Sequence, residues 1–168
     1  TKRPIYARHP EGGIRNLFNY TEQFDNGYWS KYQSTITPNA TTAPDGSVSA
    51  DKFIASAISS SHALYRGMTT GSSSTSYTFT VYGKAVGYNY LVLRTPNTKR
   101  TYFNISTGVV GTVDATHTAS ITSVGNGWYR CQITFAGVSN SLNYELEIAD
   151  ANNSAGFTGD GTSGVYIW

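Results

Sequence analysis

A single cysteine, Cys131, rules out any internal disulfide, so no covalent staple holds this chain. Charge is scarce too: Asp, Glu, Lys and Arg make up 13% of the 168 residues, about half the usual share for a soluble domain. The twelve Lys and Arg exceed the ten Asp and Glu by only two. Much of that excess lies in residues 1–15, where Lys2, Arg3, Arg8 and Arg15 face only Glu11, and no basic stripe follows. Binding of nucleic acid through phosphates is therefore not expected. No apolar run approaches the roughly twenty residues of a membrane-spanning helix, so membrane insertion is not expected either. The sequence has no Gly-x-Ser-x-Gly elbow and no internal repeat, which argues against a serine hydrolase of that type, a propeller or a solenoid.

What the chain does have is aromatic and polar. Aromatic residues make up 14%, thirteen of them Tyr, and there are seventeen Gly. A disordered chain is poor in aromatics and rich in charge, the reverse of this balance. The length suits one domain with a sizeable core. Short strands joined by polar turns give this composition, whereas long surface helices need more Glu, Lys and Ala.

The clearest element is 125–135. Asn126-Gly127 is a strong turn pair, because both residue types tolerate positive φ. After it, Tyr129, Cys131, Ile133 and Phe135 form an apolar row, while Trp128, Arg130, Gln132 and Thr134 form the opposite one. A period of two puts these rows on opposite faces of a sheet. Cys131, in the apolar row, reads as a buried thiol. The same alternation marks 76–86, with Tyr77, Phe79, Val81 and Ala85 opposed to Thr78, Thr80, Tyr82 and Lys84. It recurs at 90–95, at 101–106 and at 143–149, where Tyr144, Leu146 and Ile148 face in and Glu145 and Glu147 face out. Further strands are expected at 34–38, 50–55, 62–68, 109–113, 118–124 and 165–168, the 118–124 strand pairing with 128–135 as a hairpin. Leu17 and Phe18 read as the start of a strand and 21–24 as one helical turn capped by Thr21. Ala43-Pro44-Asp45-Gly46 reads as a turn. About ten to eleven short strands with almost no helical period predict an all-β antiparallel sandwich, a jelly roll in preference to an immunoglobulin-like fold. Residues 1–15, with two Pro and no apolar periodicity, read as an extended arm or linker, and 16–168 as the domain.

A glycosidase needs two carboxyl groups about one bond. Glu145 and Glu147, about 7 Å apart on one strand face by strand geometry, offer such a spacing. Same-face acids are also ordinary on exposed strands, and His9, His62 and His117 are scattered. No enzyme activity is expected. The outward rows instead suggest binding. Aromatic faces stack on sugar C–H faces, and flanking amide, Arg or carboxylate groups take the hydroxyls. The candidates are Tyr82, Tyr90 with Arg94, Tyr102 with Asn104, and Trp128 with Arg130. Should these strands share one sheet, they make an aromatic, mildly basic concave face suited to a glycan. The alternatives are a face buried against another subunit and a plain sheet surface stabilised by cross-strand pairs.

Several stretches carry a family resemblance. They are Asn-Leu-Phe-Asn-Tyr-Thr-Glu-Gln-Phe-Asp-Asn-Gly-Tyr-Trp at 16–29, Thr-Ala-Pro-Asp-Gly at 42–46, Ala-Asp-Lys at 50–52, Tyr-Thr-Phe-Thr-Val-Tyr-Gly-Lys-Ala at 77–85, Gly-Asn-Gly-Trp-Tyr-Arg-Cys at 125–131 and Val-Tyr-Ile-Trp at 165–168. Together they resemble a group of bacteriophage and prophage virion domains similar to carbohydrate-binding modules of the jelly-roll type, found in tail, fibre and head-associated proteins. The resemblance implies a virion location, or a secreted one if the domain is an accessory module of a glycan-degrading enzyme. It implies a polysaccharide ligand or other virion subunits as partners. Such modules often carry a structural calcium with an early Glu ligand. Glu22 is the nearest counterpart here, but the late acidic ligand is missing, so no metal site is expected.

Overall fold

The structure, a computed structural model, describes residues 16–71, 73–138 and 140–168. The expected arm at 1–15 lies outside the described residues. Within them fourteen strands follow one another with no helix. They are β1 (Ser30–Tyr32), β2 (Ser34–Thr41), β3 (Ala50–Ala55), β4 (Ser59–Ser60), β5 (His62–Met68), β6 (Ser76–Val86) and β7 (Tyr90–Thr95). Then come β8 (Lys99–Asn104), β9 (Val109–Val110), β10 (Thr118–Gly125), β11 (Trp128–Ala136), β12 (Leu142–Ala149), β13 (Phe157–Thr158) and β14 (Gly164–Ile167).

Two antiparallel sheets of six strands stack as a β-sandwich, the expected all-β class. The first runs β1-β5-β12-β7-β8-β9 and the second β10-β11-β6-β14-β3-β2; β4 and β13 form a small separate ribbon. Each sheet mixes early and late strands, so the chain passes repeatedly between layers. Local chemistry explains the tight connections. Asn126 and Gly127 both take positive φ, 53° and 77°, and join the paired residues Gly125 and Trp128. This is the two-residue primed turn whose twist matches that of the strands. The hairpin then runs in register from Ser123 opposite Tyr129 to Thr118 opposite Thr134. At 43–46 the Gly46 N–H donates to Ala43 O at 3.0 Å, closing the expected turn.

The inward rows fill the space between the sheets. Phe53, Leu91, Leu93, Phe103, Cys131 and Ile133 are fully buried there. Burying such side chains is worth about 1.5–3 kcal/mol each. Burial also pushes the Cys131 thiol far above its ordinary pKa, so it is a core residue and not a thiolate. Phe24 and Trp29 close one end of the core, with Trp29 Nε1 donating to Tyr20 O at 2.9 Å.

The segment before β1 departs from the expectation. Leu17 and Phe18 form no strand, and 21–24 is not a helical turn. Instead, successive turns run through it, with Gln23 N donating to Tyr20 O and Asn26 N to Gln23 O. Phe18 lies across the open end of the sandwich against Trp29 and Phe79, at centroid distances of 5.2 and 5.6 Å. A short apolar pair used as a plug has no need of a ladder partner. Buried Asp51 fixes this plug: its carboxylate accepts from Phe24 N and from Asn39 N, each at 2.9 Å.

Candidate functional site

The seven residues proposed for binding do not share one face. Tyr90, Arg94, Tyr102 and Asn104 stand on β7 and β8 of the first sheet, whereas Tyr82, Trp128 and Arg130 stand on β6 and β11 of the second. All seven belong to outward rows, so the two groups lie on opposite outer surfaces of the sandwich. Period-two alternation assigns a face within a strand; it carries no information about which sheet that strand joins.

On the second sheet the group is broken further. Arg130 is exposed and sits directly across from Tyr82. Trp128 is buried at 1% exposure, which corrects its reading as an open platform. The turn between β2 and β3 folds over this end of the sheet, and Trp128 Nε1 donates to Thr42 O at 3.1 Å. Trp128 packs with Ala43, Ala50, Tyr82, Tyr166 and Trp168 as a small second core. Trp168 Nε1 reaches Ser49 Oγ at 3.1 Å from the same cover.

The first sheet keeps its group together and adds to it. Cross-strand register places Tyr65, Glu145, Arg94 and Arg100 side by side on β5, β12, β7 and β8. The next row on the same face reads Ala63, Glu147, Val92 and Tyr102, and the one after it pairs Ala149 with Tyr90 and Tyr90 with Asn104. Tyr102 is buried at 2%, part of an apolar floor with Val92, Ala149 and Tyr90. It cannot serve as a freely exposed stacking ring. Asn104 is turned to local work: its Oδ1 accepts from Ser106 N and Thr107 N, each at 3.0 Å. Tyr65 and Tyr90, half-buried, are the rings with open area on this face.

The charged groups form one network. Arg94 Nη1 lies 2.6 Å from Glu145 Oε2 and 3.3 Å from Glu147 Oε1. Arg100 Nε donates to Glu147 Oε2 at 2.7 Å and its Nη2 to Oε1 at 3.1 Å, a bidentate fork on a carboxylate only 4% exposed. The Glu147 carboxylate holds the Arg100 guanidinium above its ordinary pKa despite partial burial. Burial raises Glu145, while Arg94 opposes that shift. Arg94 Nε is buried without a hydrogen-bond partner among the described residues, a donor left over after both carboxylates are engaged. The two carboxylates once considered as a catalytic pair are thus bridged by one guanidinium.

Arg100, Glu147 and Tyr65 were not among the seven sequence candidates. Arg100 was missed because the β8 strand was expected from 101. Asn97 and Thr98, both at positive φ, tighten the turn and let the strand begin at Lys99. Tyr65 was missed because the alternation in His62–Met68 is ambiguous.

Other polar groups have local roles. His117 bridges Thr95 Oγ1 and Thr101 Oγ1, each at 2.9 Å, and burial lowers its pKa. His62 places its ring nitrogens 2.6 Å from Gln33 O and 3.2 Å from Phe157 O. Asp160 accepts from Thr162 N, Ser163 N and Ser163 Oγ, which hold its carboxyl far below the usual range. Among the described residues no three His, Cys, Asp or Glu side chains gather as a metal cluster, and no helix is long and apolar enough to cross a membrane. No protein-family model matches the chain, and no curated protein matches it.

Proposed function

We propose that residues 16–168 form a non-catalytic carbohydrate-binding domain of a bacteriophage or prophage virion protein, touching host or environmental polysaccharide. One observation carries this reading: the row Tyr65, Glu145, Arg94 and Arg100 across four neighbouring strands, with Tyr90 alongside. Sugar rings offer C–H faces to aromatic rings and hydroxyls that both donate and accept. Here a carboxylate accepts and guanidinium groups donate. Ion pairs already brace these side chains, so binding immobilises little that was mobile. The mixing of early and late strands in both sheets supports a jelly roll. The virion setting rests on the resemblance carried by 16–29, 77–85, 125–131 and 165–168.

The glycan reading is tested on an array of bacterial surface polysaccharides. Wild type binds at least one of them. Tyr65→Ala combined with Tyr90→Ala loses that binding, and Tyr82→Ala on the opposite surface keeps it. No binding by well-folded wild type across the array defeats the reading.

A further inference from the structure

The outer face of the first sheet is electrically balanced. Its rows on β5, β12, β7 and β8 carry four charged side chains, Arg94 and Arg100 against Glu145 and Glu147, so the charges cancel. All four are engaged. Arg94 Nη1 bridges both carboxylates at 2.6 and 3.3 Å, and Arg100 grips Glu147 at 2.7 and 3.1 Å. The carboxylates are set deeper, at 13% and 4% exposure against 21% and 19% for the two Arg side chains. Pulling a guanidinium away therefore leaves a carboxylate short of both its partner and water.

An anionic sugar fares badly on such a face. To pair with Arg94 it must displace Glu145, and to pair with Arg100 it must open the fork on Glu147. Either exchange strands a partly buried carboxylate, which costs more than the new pair restores. Beside the intact network, the sugar's own carboxylate is desolvated next to Glu145, a like charge. An uncharged hydroxyl meets no such conflict, because both ions keep hydrogen-bonding capacity after pairing. Arg94 Nη1 and Glu145 Oε2, 2.6 Å apart, present a donor and an acceptor side by side, matched to neighbouring ring hydroxyls. Charged partners make such bonds shorter and stronger than neutral ones do.

The chain does own cations without acid partners, but on its other surface. On the second sheet Lys84 lies opposite Tyr166, Tyr166 opposite Lys52, and Arg130 opposite Tyr82. None of these three cations makes an ion pair among the described residues. Fixed counter-charge is thus particular to the face of the first sheet.

We propose that the face carrying Tyr65, Tyr90, Arg94 and Glu145 selects uncharged polysaccharides and rejects their carboxylate-bearing counterparts. This selection rests on the glycan reading above and adds the charge class of the ligand. The two tyrosines stack on sugar C–H faces and the pre-paired ions take hydroxyls. No net charge remains to offset the desolvation of an anion.

The test takes the neutral polysaccharide that the array returns and makes a charged twin by oxidising its primary hydroxyls to carboxylates. Backbone and linkages stay the same. Both are titrated into the whole 168-residue protein and followed by NMR. The neutral polymer shifts Tyr65, Tyr90 and Arg94, and its affinity changes by less than about twofold between roughly 0.02 and 0.5 M NaCl. The charged twin binds this face about tenfold or more weakly. Methyl-esterifying the twin removes its charge without restoring the hydroxyl, and binding returns with the protein unaltered. Glu145→Gln leaves the face one positive charge in excess, so the penalty on the charged twin narrows to about threefold.

Three outcomes overturn the selection while the glycan reading stands. The array could return only anionic polysaccharides bound at this face. The charged twin could bind there as tightly as the neutral polymer. Esterification could fail to restore binding, the loss then belonging to the missing hydroxyl. No binding by well-folded protein to any array member defeats the glycan reading itself, and this selection with it.

Discussion

Replacing Trp128 with Ala separates the two roles this residue can have. On an open binding face, its loss would remove ligand affinity and leave stability almost unchanged. The structure buries it at 1% exposure, among Ala43, Ala50, Tyr82, Tyr166 and Trp168. Truncating a buried Trp to Ala typically costs about 3–5 kcal/mol, the transfer term plus the cavity left behind. The lower end applies here, because one wall of the site is the turn at 42–49, which can settle into the vacated space. About 3 kcal/mol of this kind lowers the melting temperature by roughly 6–12 °C in a domain of this size. Trp128→Phe isolates the polar part. It keeps a ring but leaves Thr42 O without the donor now 3.1 Å away, at a cost of about 1–2 kcal/mol. Urea denaturation monitored by near-ultraviolet circular dichroism reads both variants. Glycan binding at a urea-free, low temperature should persist in each. A Trp128→Ala protein within about 0.5 kcal/mol of wild type refutes the argument, since only surface positions behave that way.

Two more perturbations test the charge and titration readings. Glu147→Gln keeps the side-chain volume but halves the fork that Arg100 grips at 2.7 and 3.1 Å, so it costs about 1.5–3 kcal/mol; Glu145→Gln, partnered by Arg94 alone, costs less, and equal losses in denaturant melts would contradict this ranking. His117 has a folded pKa below its ordinary 6.5, so the unfolded chain takes up the proton first. Its contribution is therefore complete above about pH 6.5 and is lost as pH falls toward the depressed value, by up to roughly 1.4 kcal/mol per pH unit. His117→Gln should flatten that acidic slope in urea melts collected between pH 7 and 5, and an unchanged slope would assign the loss to other groups.

Local chemistry was the most legible part of the sequence. The Asn126-Gly127 pair announced its hairpin, and Ala50–Ala55 could be bounded to the residue by the turn before it and the Ser-rich stretch after it. Inward rows were readable because a buried face tolerates little but apolar groups; Cys131, Phe53 and Phe103 follow from that alone. The assembly of the site was not legible. Whether β6 and β7 join one sheet depends on pairings between residues far apart in sequence, and alternation is the same either way. Outward also proved different from exposed: Trp128 faces away from the main core yet lies beneath the turn at 42–49, and Tyr102 is enclosed by its neighbours on the same face.

The central claim, that the outer face of the first sheet binds a glycan, is tested most directly by NMR shift mapping with whichever polysaccharide the array selects. The account predicts the largest shifts at Tyr65, Tyr90, Arg94, Arg100 and Glu145, with Tyr82 and Arg130 on the opposite surface unmoved. Shifts gathered around Tyr82 and Arg130, or spread evenly over both surfaces, would contradict it.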